Sequence, residues 1–198
     1  MSAVEVLSFI DFEEPYFKFG GSNLIELKEY LQNAAFQRGA VCFTGSRPAN
    51  LPWKYNEECE LCINFKQRLK ELVRVLYDLG YRRFISGMAL GFDTVASEVI
   101  LELKNEGLKI YLECALACEN QEFRWGNGQK QRFKEIIEKA DRVTNVNKNY
   151  FNGCFIKRNQ YMIDNSSVVV SAHFNNSIGT ASTLSYAKKR NIKIINIT

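Results

Sequence analysis

Between residues 57 and 79 the apolar residues Leu61, Phe65, Leu69, Leu72, Leu76 and Leu79 recur every three or four positions. That spacing predicts one long amphipathic helix, stopped by Gly80. On either side lie short continuous apolar runs, residues 40–44 and Phe84-Ile85, which have the length of buried strands. The second run passes through a turn of small residues (Ser86, Gly87, Ala89, Gly91) into another helix. This helix reaches residue 104, with Val95, Val99 and Leu103 on its apolar side and Ala96 and Ile100 beside them. The same alternation continues to the end: a strand at 109–112, an irregular segment at 113–125, a helix at about 129–140 and a strand at 142–146. A helix at 153–164, a fully buried strand at 167–172, a helix at 180–190 and a strand at 193–197 follow. Regular alternation of strand and helix predicts an α/β fold with a mainly parallel sheet and helices on both faces. Sheets of this kind bind ligands in the crevice at the carboxyl ends of their strands.

Residues 1–39 do not follow this pattern. Strand character at 4–12 is interrupted by Pro15 and by Gly20-Gly21, and Ser22 is a candidate cap for a helix running to Leu31. We therefore read 1–39 as an N-terminal extension and 40–198 as the main domain. A chain of 198 residues with 46% hydrophobic content suffices for one sizeable core. No apolar run is long enough to span a bilayer, and the N-terminus lacks a basic region followed by a hydrophobic one, so a soluble, cytoplasmic protein without a membrane partner is expected. The six cysteines fall mostly in predicted helices and strands, which suits free thiols in a reducing compartment. A net charge of +4 is compatible with an anionic ligand and does not demand nucleic acid.

Three strand ends resemble one another: Thr44-Gly45-Ser46-Arg47, then Ser86-Gly87-Met88 leading to Gly91 and Asp93, then Ser177 leading to Gly179 and Thr180. Each brings small or hydroxyl residues to one edge of the sheet. A strand that turns directly into a helix also aims unpaired N–H groups at that edge, a setting that favours a phosphate. Any one of these turns has a purely conformational explanation in its glycine; three together favour a phosphate-bearing ligand. None is a Walker A sequence, and no complete GxGxxG lies between a strand and a helix, so neither a P-loop nucleoside-triphosphatase nor an ordinary dinucleotide dehydrogenase is supported. Arg47 is a candidate phosphate clamp or a solvated surface arginine. Asp93 is a helix cap or a partner for a ligand hydroxyl. Arg158 and Asn159 share a helix with Asp164, where ion pairing or capping would equally explain them. Gln121 and Trp125, on the irregular segment, are candidates to hydrogen-bond and stack on a base; an isolated tryptophan is commonly core. Cys59 and Cys62 form a CxxC and Cys114 and Cys118 a CxxxC, but the first pair lies at a helix start whose apolar face includes Cys62, so no metal is assigned. His173 stands near the crevice without a legible triad partner.

The stretches FTGSRPANLP, FISGMALGFDTVASEVILELK, ENQEFRW, RNQYMID and GTASTLSYAKKRNIKIINI, in this order, resemble the bacterial and phage proteins of the YpsA-like (DUF1273) family in the SLOG superfamily. The resemblance covers residues 40–198 and implies a Rossmann-like three-layer fold, with a pocket for a nucleotide or nucleotide-derived molecule and self-association as a homo-oligomer, most simply a dimer. The family's TGxRP motif falls on Thr44, Gly45, Arg47 and Pro48, with Ser46 where histidine is frequent. Its SGMAxGxD motif falls on Ser86, Gly87, Met88, Ala89, Gly91 and Asp93, the AE pair becomes Ser97-Glu98, and RNxxMxD falls on Arg158, Asn159, Met162 and Asp164. The GGT is here Ile178-Gly179-Thr180, one glycine short.

Similar architecture in the lonely-guy type phosphoribohydrolases brings a catalytic glutamate in PGGxGTxxE; Thr183 stands at that position here. Resemblance to the DNA-processing A proteins in the SGxAxGxD turn implies single-stranded DNA as a further partner, although no concentrated basic groove with aromatics is legible. The leading expectation is a binder or sensor of a nucleotide-like ligand. A hydrolase of a nucleotide N-glycosidic or phosphoester bond with Asp93 or Glu98 as its acid–base carboxylate, and a protein- or DNA-interaction module, are the alternatives.

Overall fold

The computed structural model describes residues 10–11, 39–174 and 177–197. They form a Rossmann-like α/β fold around one seven-stranded sheet. In chain order the elements are β1 (Ile10–Asp11), β2 (Ala40–Gly45), α1 (Glu60–Asp78), β3 (Arg83–Ser86), α2 (Phe92–Asn105), β4 (Tyr111–Leu116) and α3 (Asn127–Lys139). They continue with β5 (Arg142–Asn145), α4 (Cys154–Asp164), β6 (Val168–Ala172), α5 (Ile178–Lys189) and β7 (Lys193–Ile197). The sheet order is β1-β7-β6-β2-β3-β4-β5. Six strands run parallel, and β1 pairs antiparallel to β7 at the edge through Ile10 with Ile197 and Asp11 with Asn196. Two residues of the expected N-terminal extension thus complete one edge of the sheet; the helix read between Ser22 and Leu31 lies outside the described residues.

Winding outward from β2, the chain lays β3, β4 and β5 on one side, then returns to place β6 and β7 on the other. Helices α1, α2 and α3 pack side by side, as do α4 and α5; with the right-handed crossovers that parallel strands adopt, the reversal of winding sets the two groups on opposite faces. The strand direction of winding reverses between β2 and β6, and there the loops after the two strands part to leave a crevice. Central strands read as unbroken apolar runs because both faces are covered: Ala40, Val41, Cys42 and Phe43 are all fully buried. Phe43 stacks on Phe84 and meets the edge of Phe92, which in turn meets Phe65 of α1, so one aromatic cluster joins β2, β3 and the first two helices.

Two readings of the pattern change. On α1 the inward face is carried by Cys62, Phe65, Leu69, Leu72, Val73 and Leu76, while Leu61 is 62% exposed; Cys62 lies nearer the phase of the later leucines. Strand β4 begins at Tyr111 and runs on to Leu116 through residues expected to be irregular. Glu113 interrupts the apolar run in sequence, yet it is fully buried. Its carboxylate accepts hydrogen bonds from the guanidinium of Arg83, from Tyr161 Oη at 2.8 Å and from Thr144 Oγ1 at 2.8 Å, which lets a charged residue occupy a central strand. Among the described residues no helix is long and apolar enough to cross a membrane.

Candidate functional site

Alternation along β2 sends Phe43 toward α1 and α2 and sends Thr44 to the other face. There, above the carboxyl ends of β2 and β6, a cavity of about 620 Å³ opens between α4 and α5. Thr44, Gly45 and Arg47 line it from the loop after β2, Ala89 and Asp93 from the β3–α2 turn, Arg158 and Asn159 from α4, and Ser177, Gly179 and Thr180 from the start of α5. No side chain caps the N-terminus of α5 among the described residues, so its first-turn N–H groups face this space.

The β3–α2 turn is held by contacts that leave little freedom. Ser86 Oγ donates to the Asp93 carbonyl at 2.9 Å and accepts from the Met88 N–H at 3.2 Å. Met88 itself has φ +54°, an uncommon conformation for a non-glycine residue, and its buried sulfur accepts from Ser97 Oγ at 3.2 Å. Gly91 combines φ +99° with a close approach to the loop after β2: a Cβ there would stand 2.5 Å from the Ser46 carbonyl oxygen. Gly87 gives room to a different neighbour. A Cβ on it would lie 2.5 Å from Arg158 Cζ and 2.8 Å from Asp93 Oδ2.

Arg158 and Asp93 therefore converge over Gly87, and both are buried, at 3% and 5% exposure. Arg158 donates to the Gly87 carbonyl and, through Nε, to Asn159 Oδ1 at 2.8 Å. Asp93 Oδ2 accepts the Ala89 N–H at 3.3 Å. Their charged ends form no direct ion pair. Burial lowers Arg158 to about 10, with Asp93 opposing that shift and Arg47 adding to it. Burial likewise raises Asp93, against the pull of Arg158 and Arg47. The cavity floor thus holds a guanidinium and a carboxyl group that have lost water and form no ion pair with each other, and the exposed Arg47 stands at its rim.

Other residues singled out in the sequence serve the walls or lie elsewhere. Ser46 is fully buried, donating to the Phe174 carbonyl at 3.0 Å and accepting its N–H at 2.9 Å. Gln121 accepts the Ala117 N–H at 2.9 Å and donates to the Gly87 and Met88 carbonyls, at 3.3 and 3.1 Å, tying the β4–α3 loop to the floor. Trp125 meets the edge of Phe133 and lines a separate cavity of about 190 Å³ on the α1–α3 side. Glu98 is engaged by Arg132, at 2.6 and 2.5 Å, in an ion cluster that also holds Glu57 and Lys66, and is not part of the lining of the larger cavity. Gly179 has open space around it. Thr183, in the place of the phosphoribohydrolase glutamate, donates to the Gly179 carbonyl at 2.9 Å and accepts from Asn159 Nδ2 at 2.7 Å. Phe155, Ile156 and Gln160 also line the cavity without having been singled out. The α4 residues among them were legible from position, since they share two turns of helix with Arg158 and Asn159.

Residues 41–197 match the model of the YspA SLOG family, YpsA. The chain belongs to this SLOG family. Among curated relatives, the SPbeta prophage-derived protein YoqJ of Bacillus subtilis (strain 168) is 32% identical over 119 residues, covering 54% of this chain and 70% of that protein. The UPF0398 protein BH1768 of Halalkalibacterium halodurans is 27% identical over 128 residues, 63% of this chain and 68% of its own length. Of solved structures, DNA processing protein A from Helicobacter pylori, studied for its single-stranded DNA binding mode, superposes with a TM-score of 0.54 at 21% identity over 82% of this chain and 66% of that one. DNA processing protein A from Streptococcus pneumoniae gives 0.55 at 16% identity over 80% of this chain and 50% of that one. Identity at this level places the two in the same fold.

Proposed function

We propose that this SLOG protein binds a nucleotide-like, phosphate-bearing small molecule in the cavity between α4 and α5. The observation that carries the reading is the cavity floor, where buried Arg158 and Asp93 converge without pairing. A ligand with one anionic group and neighbouring hydroxyls satisfies both: phosphate against Arg158, Arg47 and the uncapped N-terminus of α5, a sugar hydroxyl donating to Asp93. Exposed Phe155 and Ile156 on the opposite wall offer an apolar surface for a base. A catalytic version of the reading assigns the acid–base role to Asp93, because Glu98 is committed to Arg132. The test is a thermal-shift and calorimetric screen of ligand-free protein against mononucleotides, ADP-ribose, nicotinamide dinucleotides and cyclic nucleotides. Binding to the folded state raises its stability. A hit whose affinity falls at least about tenfold in Arg47→Ala, with folding intact, supports the cradle, this being the scale of one charge-assisted contact. No hit across the panel, or a hit indifferent to Arg47, overturns it.

A second reading, single-stranded DNA, is favoured by the mouth of the same cavity. Exposed Phe155 and Ile178 line it, exposed Tyr150 lies 6.5 Å from the Phe155 ring, and on the same segment Lys157 lies 5.3 Å from the ring centroid of exposed Phe151. Aromatics beside cations suit stacked bases and a phosphate backbone. Anisotropy of a labelled oligothymidylate, titrated at two salt concentrations, separates the readings: salt-sensitive binding supports DNA, and its absence removes it.

A further inference from the structure

Cys118 and Cys154 are distant in sequence and adjacent in space. They are 2% and 0% exposed, and with Ala117 they form a small apolar cluster set apart from the main core. The two side chains pack in that one cluster, and burial together with its neighbour Cys154 pushes the Cys118 thiol above its ordinary value. Cys118 lies on the loop that follows β4, and Cys154 is the first residue of α4. Each belongs to a segment that shapes the cavity floor. Three residues after Cys118, Gln121 holds the Gly87 and Met88 carbonyls; one helical turn after Cys154, Arg158 reaches the same Gly87 carbonyl.

We propose that Cys118 and Cys154 are a reversible disulfide pair, closed by hydrogen peroxide or by a small-molecule disulfide, that couples oxidation to the position of the first turn of α4. With peroxide, one sulfur attacks an oxygen and becomes a sulfenic acid as the O–O bond breaks and water leaves. The second sulfur then displaces the sulfenic oxygen as another water, so that two thiols and one peroxide yield one disulfide and two waters. With a small-molecule disulfide, two exchange steps transfer the same two electrons and release two small thiols. A loop position for Cys118 supplies the movement that brings the neighbouring sulfurs to a bond of about 2.05 Å. Two other thiols, Cys42 and Cys114, serve as internal controls. Burial pushes Cys42 and Cys114 up to about 12, and both are fixed on central strands. The inference stands apart from the identity of any ligand.

The test exposes the native, full-length protein to graded hydrogen peroxide, quenches it, unfolds it, alkylates the remaining thiols and maps them by mass spectrometry. The expected product is a Cys118–Cys154 linked peptide, lighter by about 2 Da than the two reduced peptides and restored by dithiothreitol. It should appear while Cys42 and Cys114 still alkylate fully. Cys118→Ser and Cys154→Ser, each shown to be folded, should lose it. Hydrogen exchange reads the coupling: amides in the first turn of α4 should exchange several-fold more slowly in oxidised wild type, with no change in either variant after the same treatment. Full alkylation of both cysteines at peroxide levels that oxidise other thiols, separate sulfinic acids without a link, or links scrambled among all six overturn the pair. A specific link with unchanged exchange in α4 overturns the coupling.

Discussion

Gly87→Ala is the most informative single change at the cavity floor, because it adds one methyl group at a known point. Gly87 does not have the positive φ seen at Gly91, so alanine fits its backbone and the penalty comes from space alone. The added carbon would stand 2.5 Å from Arg158 Cζ and 2.8 Å from Asp93 Oδ2, well inside van der Waals contact. Overpacking costs about 1–3 kcal/mol. Displacing the guanidinium also breaks its charged hydrogen bond to the Gly87 carbonyl, worth about 1.5–3 kcal/mol when buried. A total near 4 kcal/mol is expected, which for a chain of this size lowers Tm by about 10 °C. Urea denaturation of wild type, Gly87→Ala, Arg158→Ala and the double variant reads it directly. With Arg158 shortened the methyl finds room, so the two costs should fall short of additivity by at least about 2 kcal/mol. Gly179→Ala is the control, since a Cβ there meets nothing within 4 Å and sits in the first turn of a helix; its effect should be neutral or stabilising by a few tenths of a kcal/mol. Additivity within about 0.5 kcal/mol would refute the claim that Gly87 exists to admit Arg158.

Three further outcomes follow from the charged side chains. Asp93 is raised by burial, so its folded form binds the proton more tightly and its contribution to stability is lost as pH rises from the unfolded carboxylate value through the folded one. Asp93→Asn should therefore be more stable than wild type at pH 8 and indistinguishable near pH 3, as read by parallel melts. Burial alone would raise Glu113 too, but hydrogen bonds from Arg83, Tyr161 and Thr144 outweigh it and hold the carboxyl below its usual range. That stabilisation is present above the unfolded value and fades as pH falls through the folded one. Glu113→Ala should cost about 3–5 kcal/mol at neutral pH by leaving the Arg83 guanidinium without its partner, and equal urea midpoints would contradict it. Glu98→Gln should cost about 1 kcal/mol or less, because its partly exposed ion cluster is screened, and the loss should shrink in 1 M salt.

The α/β class and the crevice at the strand ends were legible because alternation of period and a central apolar run are properties of short segments. Strand β4 was misplaced for the opposite reason. Whether a glutamate can sit inside a sheet depends on Arg83, Thr144 and Tyr161, which come from three other elements. The same limit governs the serines. Ser46 and Ser86 carry hydroxyls at the ends of β2 and β3, as a phosphate cradle would require, and both hydroxyls are consumed by backbone groups far along the chain or across a turn. Residue type at a strand end identifies the edge of the sheet; which of those groups remains available is decided by tertiary partners.

One part of the site could have been separated in advance by geometry alone. Asp93 and Glu98 lie five residues apart on α2, and at about 100° per residue their side chains leave the helix roughly 140° from one another. Two carboxylates so placed cannot both address one ligand unless it wraps the helix. Asp93, in the first turn, overhangs the end of β3 and faces the cavity; Glu98, more than a turn later, is turned toward α3, where Arg132 holds it. The consequence reaches the chemistry. A glycosidase-like mechanism with an acid and a base on opposite sides of a bond needs two carboxylates in one space, and among the described residues Asp93 is the only carboxylate lining this cavity. Any bond cleavage here would have to proceed with Asp93 as its single carboxylate and Arg47 and Arg158 stabilising the departing charge. That arrangement favours departure of a phosphate-bearing anion over a neutral sugar, and it predicts that Asp93→Asn would abolish turnover while leaving phosphate affinity intact or improved, measured by calorimetry beside a product assay.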